Sequence, residues 1–408
     1  MGNTVKDRFR LVLMLAALCV LASTDWLIVE AQEIVVASGR ATHLRPEIDV
    51  APGTGSVLVT WLRQHEGKPQ LVGRMLKRLP SGRYTRRKIF EISTKGAEAS
   101  AQSVFWLPHT GEFGVAYGED GNSFLARLNA SGGRVRPERY PVMTGRVSPA
   151  PILRSERGKR LFVFVGSSDD APTTLGWTWH TKQMGRRAKG AIDLTEAFEA
   201  PVTLEVVGVL QVARQEYVVL ANYFGASEGV IAVRVLFDRS TDQVVITDTN
   251  KLAGQLPFTR FADDQPGRID GAVPVSGTTA VGFVAGLLDL ETLMLTNTIA
   301  AGNGLHSGLA LLYSGEGTDE VRVTPPTLFE SLVSGSVFAS KLDLTLAPIG
   351  NSELLFNHGG TLSDMSVADL DLPPGAQEFV TVWTFQGGTE LRAQFSARVP
   401  DPSEQDPR

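Results

Sequence analysis

The chain has 408 residues, of which 43% are hydrophobic, and its 39 basic and 44 acidic side chains give a formal net charge of −5. This composition is that of a folded globular protein and is too hydrophobic for a disordered one. The sequence contains no long basic run. Because a nucleic-acid backbone is neutralised by clustered lysines and arginines, we expect no nucleic-acid partner.

The first 31 residues have the three regions of a secretory signal peptide. Lys6, Arg8 and Arg10 precede an unbroken apolar run over residues 11–22, and a small-residue cleavage site ends at Ala31. Cleavage there would release residues 32–408. We therefore expect an exported protein that is secreted or lies in the periplasm or cell envelope.

An uncleaved membrane anchor is the alternative for the same segment. Residues 11–29 contain a single charge, Asp25, and approach the roughly 20 residues needed to cross a bilayer. Beyond this possible anchor, we expect no membrane span. The chain's one cysteine, Cys19, lies inside the apolar segment, so the exported part is predicted to fold without disulfides.

The remainder of the chain is an all-β repeat. Short apolar strands alternate with turns, and the clearest matching pair is residues 46–61 with residues 368–383, which aligns Asp49 with Asp371 and Trp61 with Trp383 without a gap. Equivalent second strands recur about every fifty residues, which fits a four-stranded propeller blade. We predict one β-propeller of seven blades over residues 32–399, with six blades as the alternative.

The two ends of the repeat predict how the ring closes. Residues 33–38 resemble the last strand of the first full unit, residues 88–93, although they precede every complete blade. The last unit stops after its third strand, at Val399. We therefore expect the N-terminal strand to complete the last blade, which removes an exposed sheet edge. Residues 400–408 are predicted to be a disordered tail.

The motif of the unit resembles a repeat found in secreted bacterial β-propellers of uncharacterised function. That repeat has a valine-rich second strand ending in Trp, a Gly-Arg pair in its third strand and a Gly before its fourth. In this sequence the motif is carried by Val59-Thr60-Trp61, Gly73-Arg74, Gly82 and Ile92-Ser93. The resemblance implies a propeller and no particular chemistry.

Three arginines are candidates for binding an anion. Arg45, Arg146 and Arg268 each precede an inferred first strand, so they are predicted to converge near the mouth of the central channel. Grouped arginines bind carboxylates or phosphates through paired hydrogen bonds. The arrangement is similar to that of sialidases, which are propellers with three arginines for the substrate carboxylate, but the Ser-x-Asp-x-Gly-x-x-Trp box of sialidases is missing.

A second candidate site is an aromatic pair. Trp177 and Trp179 share one face of a strand, His180 follows directly, and this pair does not recur in the other units. Packing between blades is the competing interpretation, and it is the one that we favour for the recurring aromatics Trp61 and Trp383.

No motif in the sequence predicts a metal ion or a cofactor. The histidines lack zinc-ligand spacing, the acidic hairpins lack the alternation of calcium loops, and the glycine-rich segments lack the Lys-Ser/Thr of a phosphate loop. We therefore favour a non-catalytic binding propeller that recognises a protein or glycan partner through loops on one face. The alternative is a glycan-active enzyme, a hydrolase or lyase, whose central channel is lined by the three arginines. The oligomeric state is left open.

Overall fold

A computed structural model of the chain contains strands throughout the part that it describes, together with one 3-10 turn at Thr195–Ala197. The described residues are 32–64, 67–107, 110–130, 140–143, 152–156, 160–168, 170–181, 186–252, 260–261, 271–279, 282–301, 306–312, 327–332, 336–341, 353–357, 362–370, 379–385 and 387–396. The predictions of a signal peptide and of a disordered tail fall outside these residues.

The strands of the described residues form seven antiparallel sheets, which we call blades 1 to 7. Blade 1 consists of β2 (Thr42–Ala51), β3 (Ser56–Gln64), β4 (Gln70–Arg78), β5 (Tyr84–Arg86) and β6 (Phe90–Glu91). Blade 2 consists of β7 (Ala99–Leu107), β8 (Glu112–Glu119), β9 (Asn122–Asn129) and β10 (Tyr140–Met143). Blade 3 consists of β11 (Ile152–Glu156), β12 (Arg160–Val165), β13 (Thr174–Thr181) and β14 (Arg186–Asp193).

Blades 4 to 6 follow the same order. Blade 4 consists of β15 (Thr203–Ala213), β16 (Glu216–Phe224), β17 (Gly229–Asp238) and β18 (Gln243–Leu252). Blade 5 consists of β19 (Arg260–Phe261), β20 (Ala272–Thr279), β21 (Gly282–Asp289) and β22 (Leu295–Ala301). Blade 6 consists of β23 (His306–Leu312), β24 (Thr327–Leu332), β25 (Ser336–Lys341) and β26 (Glu353–Asn357).

Blade 7 combines the two ends of the chain. It consists of β27 (Leu362–Asp369), β28 (Phe379–Phe385), β29 (Glu390–Ser396) and, as its outer strand, β1 (Gln32–Ser38). β1 pairs antiparallel with β29, with Ile34 opposite Ala393. The main chain of the first described strand therefore completes the sheet of the last.

The blades form a ring around their first strands. β2 contacts β7, β7 contacts β11, β11 contacts β15, and β15 contacts β19. The contacts continue from β20 to β23 and from β23 to β27, and β27 returns to β2. The predicted all-β propeller is confirmed.

The hydrophobic core is divided among the spaces between neighbouring blades. One cluster joins β1, β28 and β29 of blade 7 to β2, β3 and β4 of blade 1, and it includes Trp61, which is 0% exposed. Because a middle strand is covered on both faces, its sequence is predominantly apolar; all seven residues of β28, FVTVWTF, are buried, including its two threonines. Trp61 and Trp383, each in the second strand of its blade, are therefore packing residues.

The first strand of blade 1 begins earlier than predicted, so Arg45 lies within β2 and not before it. The pairing of β2 with β3 skips from Leu44 to Glu47, and Arg45 there has φ of 49°. Pro46 follows and has no N–H to give to the ladder, so the strand accommodates the two residues as a β-bulge.

Candidate functional site

The structure describes one of the three predicted arginines. Arg45 is exposed at the bulge of β2, and its carbonyl accepts a hydrogen bond from Gln102 Nε2 of blade 2. Arg146 and Arg268 lie outside the described residues. The structure therefore brings no two of these arginines together within the part of the chain that it describes.

The predicted aromatic pair lies between blades 3 and 4. Trp177 is 1% exposed, its ring packs edge-on against Phe237 of β17 at a centroid distance of 6.2 Å, and it covers Gly190 of β14. Trp179 is half-buried and also meets Phe237 edge-on, at 5.9 Å. These contacts belong to the cluster that joins the two blades. Trp177 therefore has no face turned to solvent on which a ligand would stack.

His180 lies on the opposite face of the same strand. It is 0% exposed, and its Nε2 is 3.0 Å from the hydroxyl of Thr178.

Among the described residues, no three His, Cys, Asp or Glu side chains are grouped so that they would hold one metal ion. The same part of the chain contains no helix with the length and apolar character of a membrane span.

The most exposed apolar strand surface among the described blades is the outer edge of blade 4. Val245 and Ile246 of β18 are 50% and 37% exposed, and Leu236, which pairs with Val245 across the sheet, is 40% exposed. β18 is ten residues long, and it is the fourth strand of its sheet, with β17 as its neighbour in the ladder. It therefore presents a long edge of main-chain N–H and C=O groups beside apolar side chains.

A depression lies next to this edge, on the side of blade 4 that faces blade 5. It has a volume of about 310 Å³ and is lined by five residues, which are Glu216, Arg234, Leu236, Thr247 and Asp248. A bulge in the pairing of β17 with β18 puts Asp248 opposite Arg234 and Val245 opposite Leu236, so these four side chains share one face.

The charge of Arg234 is already engaged by neighbouring groups. Its Nη2 donates to the carbonyl of Glu291 in blade 5 at 3.1 Å, and its Nε is 3.6 Å from a carboxylate oxygen of Glu216. Arg234 also helps to lower the pKa of Asp289, although the hydrogen bond from the N–H of Thr292 is the main cause. The depression therefore combines an apolar wall with carboxylates and one arginine that is held in place.

The sequence does not predict this site, because its residues neither recur in the repeat nor match a known catalytic motif. The run Val244-Val245-Ile246 does signal a strand, but a sequence does not show whether a strand lies in the middle of a sheet or at its edge. The turn that leads into β18 follows Asp238, the last residue of β17, whose carboxylate accepts hydrogen bonds from the N–H and hydroxyl of Ser240 at 2.8 and 2.7 Å. These bonds lower the pKa of Asp238, and they order the hairpin that positions the edge strand.

Comparison with known proteins identifies solved structures of similar fold, but it assigns the chain to no family. No family model matches the chain, and no curated protein matches it. One similar solved structure, described as the Dos1 propeller, has a TM-score of 0.49 at 10% identity and covers 91% of this chain and 95% of its own. Another, Sqt1 of Saccharomyces cerevisiae, has a TM-score of 0.47 at 9% identity and covers 90% of this chain and 100% of its own.

Proposed function

We propose that this protein is an exported, non-catalytic binding propeller whose protein partner adds an extended segment to the edge of β18. The observation that carries the proposal is the exposed apolar edge of blade 4, where Val245 is 50% exposed on a ten-residue outer strand. A partner strand would pair with main-chain groups for affinity and would place alternate side chains against the blade for specificity.

Three of the other described outer strands support this choice by contrast. β5 has three residues and β10 has four, and short edge strands are a common protection against unwanted pairing. β14 carries the exposed Lys189, and a lysine protects an edge in the same way. β18 has neither protection over Val244-Val245-Ile246, which is expected of an edge that is used for binding.

The exported location rests on the N-terminal sequence. The basic residues, the apolar run and the small-residue site ending at Ala31 support secretion or an envelope location. Within residues 32–408 the sequence contains no cysteine. The exported part can form no disulfide, so its stability depends on the packing between blades even in an oxidising compartment.

The enzyme hypothesis has no comparable support. It requires Arg45, Arg146 and Arg268 to converge at the channel, and two of these residues lie outside the described part of the chain. Trp177 and Trp179, the predicted aromatic ligand site, do not support glycan binding either, since their rings contact Phe237 inside a blade interface. The exposed edge of blade 4 favours a polypeptide partner, because only a main chain matches the hydrogen-bonding repeat of a strand.

The test is selection of displayed random ten-residue peptides on the purified protein, followed by amide hydrogen exchange with a selected peptide bound. We expect slower exchange in β18 and loss of binding in Val245→Lys, because a lysine on the edge opposes strand addition. Val245 is half exposed, so the variant is expected to keep its stability within about 0.5 kcal/mol.

The matched control is Lys189→Ala in β14, an exposed position on the outer strand of the neighbouring blade. This variant should bind the selected peptides as the parent does. Peptides that bind Val245→Lys equally well, or that protect a different strand from exchange, would contradict the proposal. A selection that yields no peptide would also contradict it.

A further inference from the structure

We infer that the segment bound at β18 carries an apolar side chain and a lysine or arginine two residues apart, both lying over the depression on the side of blade 4 that faces blade 5. This inference rests on the proposed function and names the chemistry of the partner. It follows from the register of β17 and β18 and from the charges around the depression.

The pairing register of β17 and β18 determines the spacing of the two side chains on the partner. Val245 is opposite Leu236 and Asp248 is opposite Arg234, and the bulge between these two pairs makes them successive pairs on one face. A strand that followed β18 through the bulge would place side chains two residues apart beside Val245 and beside Asp248. The first of these positions is apolar on both strands of blade 4, whereas the second has Asp248 on the edge strand and Arg234 opposite it on β17.

The charges around the depression determine the charge that we expect on the partner's side chain. Of the five residues that line the depression, Arg234 is the only basic one, while Glu216 and Asp248 are acidic. Arg234 is occupied by Glu216 and by the carbonyl of Glu291, so its charge is partly balanced before a partner arrives. Asp248 is exposed and lies at the edge, where a cation on an added strand would meet it.

A lysine or arginine suits this position better than a neutral residue for a second reason. Its aliphatic stem would pack along Leu236, which is 40% exposed, while its charged end reaches the carboxylates. A partner with a glutamate in that place would meet two carboxylates instead. Cross-strand charge pairs are modest in strength, so we expect a preference of about twofold to fivefold for the basic residue over a neutral one.

The experiment is the peptide selection repeated on three forms of the purified protein: the parent, Asp248→Lys and the control Glu228→Lys. Glu228 is exposed in the turn at the other end of the β16–β17 ladder. On the parent and on the control we expect enrichment of a basic residue two positions from an apolar one. On Asp248→Lys we expect the basic residue to be replaced by an acidic one.

The outcomes separate this inference from the proposed function. Strand-forming peptides that bind at β18 with no basic preference, or whose preference is unchanged in Asp248→Lys, would overturn the inference and leave strand addition standing. Peptides that bind elsewhere, or no peptides at all, would overturn both. A second variant, Asp248→Asn, should give peptides with a reduced basic preference and no acidic one; a full basic preference there would count against the inference.

Discussion

The side-chain amide of Gln32 forms two hydrogen bonds with the main chain of Tyr84. Its Nε2 donates to the Tyr84 carbonyl at 2.8 Å, and its Oε1 accepts from the Tyr84 N–H at 2.6 Å. Gln32 begins β1 in blade 7, whereas Tyr84 begins β5 in blade 1 and stacks its ring on Phe395 at a centroid distance of 3.6 Å. The strand that closes blade 7 is therefore fastened to the next blade as well.

We expect Gln32→Ala to lower the free energy of unfolding by about 1–2 kcal/mol, because two hydrogen bonds of ordinary net value are lost. Urea denaturation measures this difference. The matched control is Gln243→Ala, an exposed glutamine that begins the outer strand of blade 4. Equal stabilities for the two variants would show that the amide of Gln32 does not stabilise the interface between blades 7 and 1.

The pairing of β1 with the last blade was predictable because the sequence repeat itself indicates it. Residues 33–38 repeat the character of a fourth strand, and the last unit lacks one, so pairing of the chain ends follows from the need to cover sheet edges. The repeat also located the second strands, since Trp61 and Trp383 lie in β3 and β28. Periodicity therefore predicted these second strands and the strand that completes the last blade, whereas it did not place the strands of blade 6.

The partner of each side chain was not predictable in the same way. Trp177 and Trp179 meet Phe237, a residue about sixty positions later, and no local pattern reports that contact. Arg45 was expected before a strand because the recognisable repeat begins at residue 46, but the bulge lets the strand run through both residues. The exposure of β18 depends on the strand's place in its sheet, which hydrophobicity alone does not give.

His43, in the first strand of blade 1, predicts that the stability of the protein depends on pH. It is 2% exposed, its ring meets Trp61 edge-on at 6.0 Å, and neither ring nitrogen has a hydrogen-bond partner among the described residues. Burial, and then the charge of Arg63, lower the pKa of His43 from 6.5 to about 4. The imidazole is therefore neutral in the folded protein at neutral pH.

The unfolded chain binds this proton below about pH 6.5, and the folded protein binds it only near pH 4, so stability falls as the pH falls through this window. We expect a loss of about 3 kcal/mol from His43 between pH 7 and pH 4. Urea denaturation across this range should show that His43→Phe loses less stability than the parent. Parallel curves for the two proteins would contradict the assignment.

Gly190 is expected to be intolerant of any side chain. It pairs with Trp177 across β13 and β14, and a Cβ at Gly190 would lie 2.6 Å from the indole ring. Since overpacking in a close-packed interior costs about 1–3 kcal/mol, Gly190→Ala should be destabilised by that amount. Adding Trp177→Phe should recover part of the loss, and a double-mutant cycle measures the coupling. Strict additivity of the two changes would show that the clash is relieved elsewhere.

Asp49 connects the first strands of blades 1 and 2. Its Oδ2 accepts the N–H of Trp106 in β7, and its Oδ1 accepts the N–H of Val50 at 2.7 Å. Its counterpart in the repeat, Asp371, lies outside the described residues. A carboxylate that binds two main-chain donors explains why the repeat has an aspartate at the end of a first strand.

We expect Asp49→Ala to lower the free energy of unfolding by about 1.5–3 kcal/mol, because a hydrogen bond to a charged group is lost and the Trp106 N–H loses its acceptor. Asp49→Asn retains one acceptor oxygen and should lose less than the alanine variant. Glu199→Ala is the control, since Glu199 is an exposed acid outside the strands. The decisive measurement is amide exchange at Trp106: it should be faster in Asp49→Ala and unchanged in the control. An unchanged rate in both would mean that the carboxylate does not join the two blades.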